Sequence, residues 1–136
     1  MAHDLRLLVC TRAKNRCEYC HLPQELFPAA LFHLDHVIPK QHEGTDGPRN
    51  RSLSCSRCNL NKGPNLATRD NRTKRLVPLF NPRRQKWSRH FRWRGAVLVG
   101  LTVVGRGTIK ILGINEPDRI ELRRNLIAEG VFPFPD

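Results

Sequence analysis

Apolar residues near the N-terminus recur at helical spacing. Leu5, Leu8, Val9 and Ala13, widened by Leu7 and Cys10, predict a helix over residues 3–15 that Asn15 ends. Pro23 then stops any continuation, and Pro28-Ala29-Ala30 reads as a turn. From Leu31 to Pro39 the pattern becomes that of a strand, rich in aromatic and β-branched residues and closed by Pro39. Lys40 to Arg51 holds Gly44, Gly47 and Pro48 among polar residues and reads as a loop. Asn59 to Gly63 has room for one or two helical turns before Gly63-Pro64. Farther on, Phe91-Arg92-Trp93 and Val97-Leu98-Val99 flank Gly95-Ala96 as a hairpin would. Gly105 and Gly107 mark a turn, and Thr108 to Leu112 a short helix ended by Gly113. A last helix starts from an Asn115 cap and Pro117 and stops at Gly130. Its apolar side is Ile120, Leu122, Leu126 and Ile127, with Arg119, Arg123 and Arg124 on the wetter side.

A chain of 136 residues suits one domain, or a small core with an appended lobe. No apolar run approaches the ~20 residues that a membrane-spanning helix needs. The N-terminal residues show no leader pattern, so a cytoplasmic location is the default expectation. The net charge of +12 changes the picture more. Such a surface gathers polyanions, nucleic acid first and anionic membrane second, with solubility as the plain alternative. Much of the charge falls in one stretch. Arg69, Arg72, Lys74, Arg75, Arg83, Arg84, Lys86 and Arg89 are candidate phosphate contacts, and Asp70 is the only acid among them. Phe80, Trp87, Phe91 and Trp93 are interleaved, and they read as core residues rather than as stacking platforms.

The chain holds five cysteines. Cys17-Glu18-Tyr19-Cys20 and Cys55-Ser56-Arg57-Cys58 are two Cys-x-x-Cys pairs, which a reducing compartment turns toward one tetrahedral zinc site rather than two disulfides. A redox reading of the same pairs predicts reactive thiols, whereas zinc-held thiolates resist mild alkylation. Cys10 is left over and reads as a buried thiol. Four such cysteines indicate structural zinc and do not by themselves indicate an enzyme. What lies among them adds chemistry. Asp35 and His36 are neighbours on the predicted strand, so they reach one site only near a strand end, a bulge or a bend. Asn50 precedes the second pair and Asn59 follows it directly.

In this order the segment LDHVIPKQHEGTDGPRNRSLSCSRCNLNKG resembles the HNH endonucleases, over residues 17–63. The resemblance implies an α+β fold: a ββα-metal core with a four-cysteine zinc site, an N-terminal helix, and a C-terminal hairpin and helices. Residues 1–68 would form the nuclease core and 69–136 a basic extension. It supports His36 as the base that deprotonates water, a task that suits an imidazole. Asp35 and Asn59 offer hard oxygen ligands to a catalytic Mg2+, Mn2+ or other divalent ion. Asn50 would hold the loop and orient His36, and Lys62 would touch phosphate. His42 is a candidate further ligand or phosphate contact, with a role in bracing the loop as the favoured alternative. His3, His21, His33 and His90 take no role. The family often places two glycines where this loop has Glu43-Gly44. The implied partner is double-stranded DNA, with no membrane. A zinc-knuckle nucleic-acid-binding protein without catalysis is the alternative, and nothing in the sequence marks an oligomer interface.

Overall fold

The computed structural model describes residues 2–29 and 31–133, without the side chains of Ala2 and His3. Ala30, expected in a turn, lies outside them. The chain forms two compact units, residues 1–66 with 81–85, and residues 67–80 with 86–136. Among the described residues no helix is long and apolar enough to cross a membrane.

The first unit begins with α1 (Ala2–Arg12). Val9 and, just past the helix, Ala13 are buried, while Leu7 and Leu8 are exposed, so the apolar stripe serves the core through only part of its width. The helix ends at Arg12, three residues before the expected end at Asn15, because Lys14 and Asn15 take left-handed backbone. Arg12 donates to the Pro48 and Arg51 carbonyls at 2.9 and 2.7 Å, which ties α1 to the element that follows the loop. Strand β1 (His33–His36) is shorter than the predicted run. It pairs antiparallel with β2 (Arg51–Ser54), with Asp35 opposite Ser52 and His36 opposite Arg51. The intervening loop holds two single 3-10 turns, Lys40–His42 and Pro48–Asn50. Helix α2 (Ser56–Lys62) starts three residues earlier than expected, because the Cys55 Sγ accepts the Cys58 N–H and caps it. This ββα frame surrounds buried Tyr19, Leu22, Phe32, Val37 and Leu53.

The second unit contains a hairpin that the pattern did not reveal. It joins β3 (Ala67–Arg69) and β4 (Leu76–Pro78). Asp70 holds its turn, accepting the Thr73 N–H at 2.9 Å and the Thr73 hydroxyl at 2.8 Å. After the short helix α3 (Trp87–His90) comes the predicted hairpin of β5 (Phe91–Arg94) and β6 (Val97–Gly100). Helix α4 (Val103–Leu112) overturns the expected turn at Gly105 and Gly107. Both glycines are buried inside it. A Cβ on Gly105 would overlap the His90 carbonyl, and one on Gly107 would lie 2.8 Å from Thr68 Cγ2. Close packing of the helix decides both positions, not backbone freedom. Helix α5 (Pro117–Ala128) has Glu116 at its N-cap, not Asn115. Asn115 instead brackets Leu98, accepting its N–H at 2.9 Å and donating to its carbonyl at 2.7 Å.

Arg119 and Arg123 are buried and do not face water as the pattern suggested. Arg119 donates to the Leu112 carbonyl at 2.6 Å, and Arg123 to the Ala96 and Ile114 carbonyls at 2.8 Å each. They take up carbonyls at and after the C-terminal end of α4, and Arg123 lies 5.2 Å over the Trp93 ring. Phe80 and Phe91 are buried. Trp87 and Trp93 are half-buried with ring centres 6.0 Å apart. The aromatics are therefore packing groups, as expected.

Candidate active site

Two knuckles bring Cys17, Cys20, Cys55 and Cys58 together, their sulfurs all within 4.8 Å of one another and all buried. The Cys20 and Cys55 sulfurs are 3.6 Å apart, far beyond a disulfide bond. Four sulfurs at about 2.3 Å around one tetrahedral ion would stand roughly 3.8 Å apart, so the cluster fits zinc in both donor type and spacing. The Cys20 and Cys58 N–H groups lie 3.5 Å from the Cys17 and Cys55 sulfurs, oriented to offset thiolate charge. Burial pushes the Cys17 and Cys58 thiols well above the ordinary cysteine range, so ionising them takes the charge of a bound cation. Cys10 is half-buried rather than buried, stands apart from the cluster, and lies 3.7 Å from Gln24 Nε2.

Asp35 and His36 occupy the last two positions of β1 and make separate sets of contacts. The Asp35 Oδ2 meets the Lys62 ammonium at 3.0 Å and the Tyr19 hydroxyl at 3.5 Å. Among the described residues its Oδ1 has no hydrogen-bond partner. Burial raises the Asp35 pKa, and Lys62 pulls against that rise without overcoming it. The Lys62 side chain is only 2% exposed, and its ammonium also donates to the His36 carbonyl at 2.9 Å. Thus Lys62 is fixed inside the frame, on the carboxylate and on the end of β1.

The His36 imidazole faces the loop, where its Nε2 lies 2.8 Å from the Asp46 Oδ1. Asp46 is itself held, with Lys40 Nζ at 3.4 Å from its Oδ2 and Arg51 Nε donating to its carbonyl at 3.1 Å. The hydrogen bond to His36 and the charge of Lys40 keep the Asp46 carboxyl below its ordinary range. Sequence reasoning missed Asp46. It belongs to no spacing motif, and its only signal was an acid in a short loop after a histidine.

Asn50 is buried and braces that loop, as its expected role requires. Its amide donates to the Ile38 and Thr45 carbonyls at 2.9 and 2.8 Å and accepts the Ile38 N–H at 2.8 Å. Its own carbonyl takes the Val37 N–H at 2.9 Å, so the residues after His36 are fixed from both sides. Gly44 lies so close to the Ile38 carbonyl that any Cβ would overlap it. Glu43 takes left-handed backbone, φ 70°, a conformation that glycine adopts without strain. His42 is exposed at the end of the first 3-10 turn. Asn59 is half-buried on α2, one turn before Lys62, and α2 packs on β1. The donor set fits a hard divalent ion in chemistry: a carboxylate oxygen of Asp35 and the amide oxygen of Asn59.

The eight basic candidates divide between the units. Arg69, Arg72, Lys74, Arg75, Lys86 and Arg89 are exposed on the second unit. Arg84 is exposed on the first, whereas Arg83 is half-buried there in an ion pair with Glu18.

Residues 17–65 match the family model described as HNH endonuclease. The chain is also similar to the Septu protein PtuB of Bacillus thuringiensis, 29% identical over 128 residues. That alignment takes in 91% of this chain and 46% of PtuB, so the chain spans about half the length of that relative. No solved structure matches it. The segment that matches the HNH endonuclease model coincides with the ββα frame, the four-cysteine cluster and the Asp-His, Asn, Asn order described above.

Proposed function

We propose that this protein is a metal-dependent endonuclease that hydrolyses phosphodiester bonds of duplex DNA. The observation that most supports this reading is the pairing of the His36 Nε2 with Asp46 at 2.8 Å. With the ring proton on Nε2, the lone pair of Nδ1 is directed away from Asp46 and can accept a proton from an attacking water. Asp46 fixes that tautomer and favours the imidazolium that forms. Asn50 keeps the backbone after His36 from moving. Asp35, through its Oδ1, and Asn59 would hold the divalent ion. When bound, that ion supplies Lewis-acid charge at the phosphate and the leaving oxygen. The basic surface supplies the attraction for a polyanion.

The test is a supercoiled-plasmid assay with Mg2+, Mn2+ and other divalent ions, comparing the zinc-loaded wild type with His36→Ala. Nicked or linear product should appear with the wild type only, with rates separated by about 10^2 to 10^4. Chelation should stop cutting before zinc leaves the thiolates. Equal cutting by His36→Ala removes His36 from the mechanism. DNA binding without cutting under any ion leaves a zinc-stapled binding module.

A further inference from the structure

We infer that the first unit carries a second phosphate-binding site, built by Arg12, Arg49, Arg83 and Arg84, that holds the nucleic-acid backbone at a point other than the scissile bond. The inference rests on the proposed nuclease reading for the identity of its ligand. These four arginines and Pro82 line an open cavity of about 580 Å3. All five belong to the first unit, and all but Arg49 lie outside the segment that matches the family.

Two of the arginines form the wall. Arg12 is held by the Pro48 and Arg51 carbonyls at 2.9 and 2.7 Å. Arg83 is held by Glu18, which also accepts the Leu53 N–H at 2.8 Å. Both guanidiniums are thereby positioned before any ligand arrives, which lowers the ordering cost of binding. The other two are uncommitted. Arg49 and Arg84 are exposed, and among the described residues their guanidiniums have no ion pair or hydrogen bond.

The lining residues thus bring four guanidiniums together, and the carboxylate paired with one of them, Arg83, is that of Glu18. Partial burial, and after it the neighbouring Arg83, hold the Arg12 pKa below its usual value, while Glu18 pulls the other way. A concave site with such a cluster of guanidiniums concentrates anions. Guanidinium forks match phosphate oxygens two at a time. The lining offers no aromatic ring on which a base could stack, so the site reads phosphate and not sequence.

The test uses the full zinc-loaded chain in the His36→Ala background, so that binding is measured without cutting. The affinity for a labelled DNA duplex is followed across salt, with and without Arg49→Ala/Arg84→Ala. Both side chains are exposed and without protein partners, so the fold should persist. If the pocket holds backbone phosphates, the double variant should flatten the slope of log K against log salt by about 1.8, and weaken binding tens of fold near 0.1 M. An unchanged slope overturns the inference. Pyrophosphate titrated by calorimetry separates the other source. If it binds the parent at sub-millimolar concentration and not the double variant while the duplex slope stays the same, the pocket belongs to a free phosphate ester and the inference fails. Cutting that survives His36→Ala would sink the catalytic reading and leave this measurement standing.

Discussion

Lys62→Met tests whether the Lys62–Asp35 pair is a strut of the ββα frame. In the parent, the ammonium is 3.0 Å from the Asp35 Oδ2 and 2.9 Å from the His36 carbonyl, and the side chains are 2% and 10% exposed. Methionine keeps most of the volume and removes the charge. It leaves a buried carboxylate with only the Tyr19 hydroxyl beside its Oδ2 and a strand-end carbonyl without its donor. Breaking one side of a buried pair costs about 3–5 kcal/mol. With a urea dependence near 1–2 kcal/mol per molar for a unit of this size, the midpoint should fall by roughly 2 M or more. Both tryptophans, Trp87 and Trp93, lie in the second unit, so their fluorescence is the wrong probe. The first unit should be followed by zinc release to a chromophoric chelator, or by exchange of the Val37 and Leu53 amides, without added Mg2+. The decisive comparison is Asp35→Asn/Lys62→Met, which removes the stranded charge as well. Because burial outweighs Lys62 in setting the Asp35 pKa, the double variant should recover about 2 kcal/mol or more relative to Lys62→Met. If the two changes simply add, the pair is not what holds this end of β1.

Asp46→Asn should lower kcat about tenfold while moving KM less than twofold, with Asp46→Glu recovering part of the loss; steady-state cleavage kinetics check both, and an unchanged kcat would remove Asp46 from the site. Glu43→Gly should raise stability by about 0.5–1 kcal/mol, because a left-handed non-glycine costs about 1–2 kcal/mol and the flexibility of glycine returns part of that; a lower urea midpoint would count against the strain. Cys55→Ser removes a zinc ligand and the cap of α2 together, so zinc stoichiometry measured by mass spectrometry and the stability of the first unit should fall in step. The hydrogen bonds from Thr73 and the charge of Arg106 depress the Asp70 pKa below its ordinary value of 3.8. A depressed carboxylate stabilises the fold above its unfolded pKa and loses that contribution as pH falls through the folded one. Tryptophan-monitored stability of the second unit should therefore decline below about pH 4, and Asp70→Asn should flatten that acid limb.

Much of the first unit is legible along the chain because its chemistry is local. Two Cys-x-x-Cys pairs specify their own geometry, and the Asp35-His36, Asn50, Asn59 order sits at intervals that the ββα frame explains. Asn50 could be assigned a bracing role because the HNH resemblance implies an asparagine that holds this loop. Asp46 and Glu18 could not be found this way, since each acts through a partner distant in sequence or inside a loop that carries no motif. The second unit misleads for a similar reason. Gly105 and Gly107 signal a turn by propensity, yet contacts of α4 with His90 and Thr68 require the missing Cβ atoms. Arg119 and Arg123 look like surface charge, yet carbonyls left at and after the end of α4 draw them inside. The β3–β4 hairpin has strands of three residues, too short for alternation to register.

Glu18 sits between two cysteines of the four-sulfur cluster, supports the Leu53 amide and clasps Arg83. Its grip makes the first unit discontinuous: residues 81–85 belong to it although fourteen residues of the other unit intervene. A fragment cut at residue 66 keeps every metal ligand and every motif residue, but it strands a half-buried acid whose counter-ion has been cut away. The smallest piece that preserves the first unit intact therefore has to extend through Gln85, carrying the 67–80 hairpin with it. Natural shuffling of this module would follow the same rule, because a recombination point between Leu66 and Asn81 separates the knuckle from its arginine.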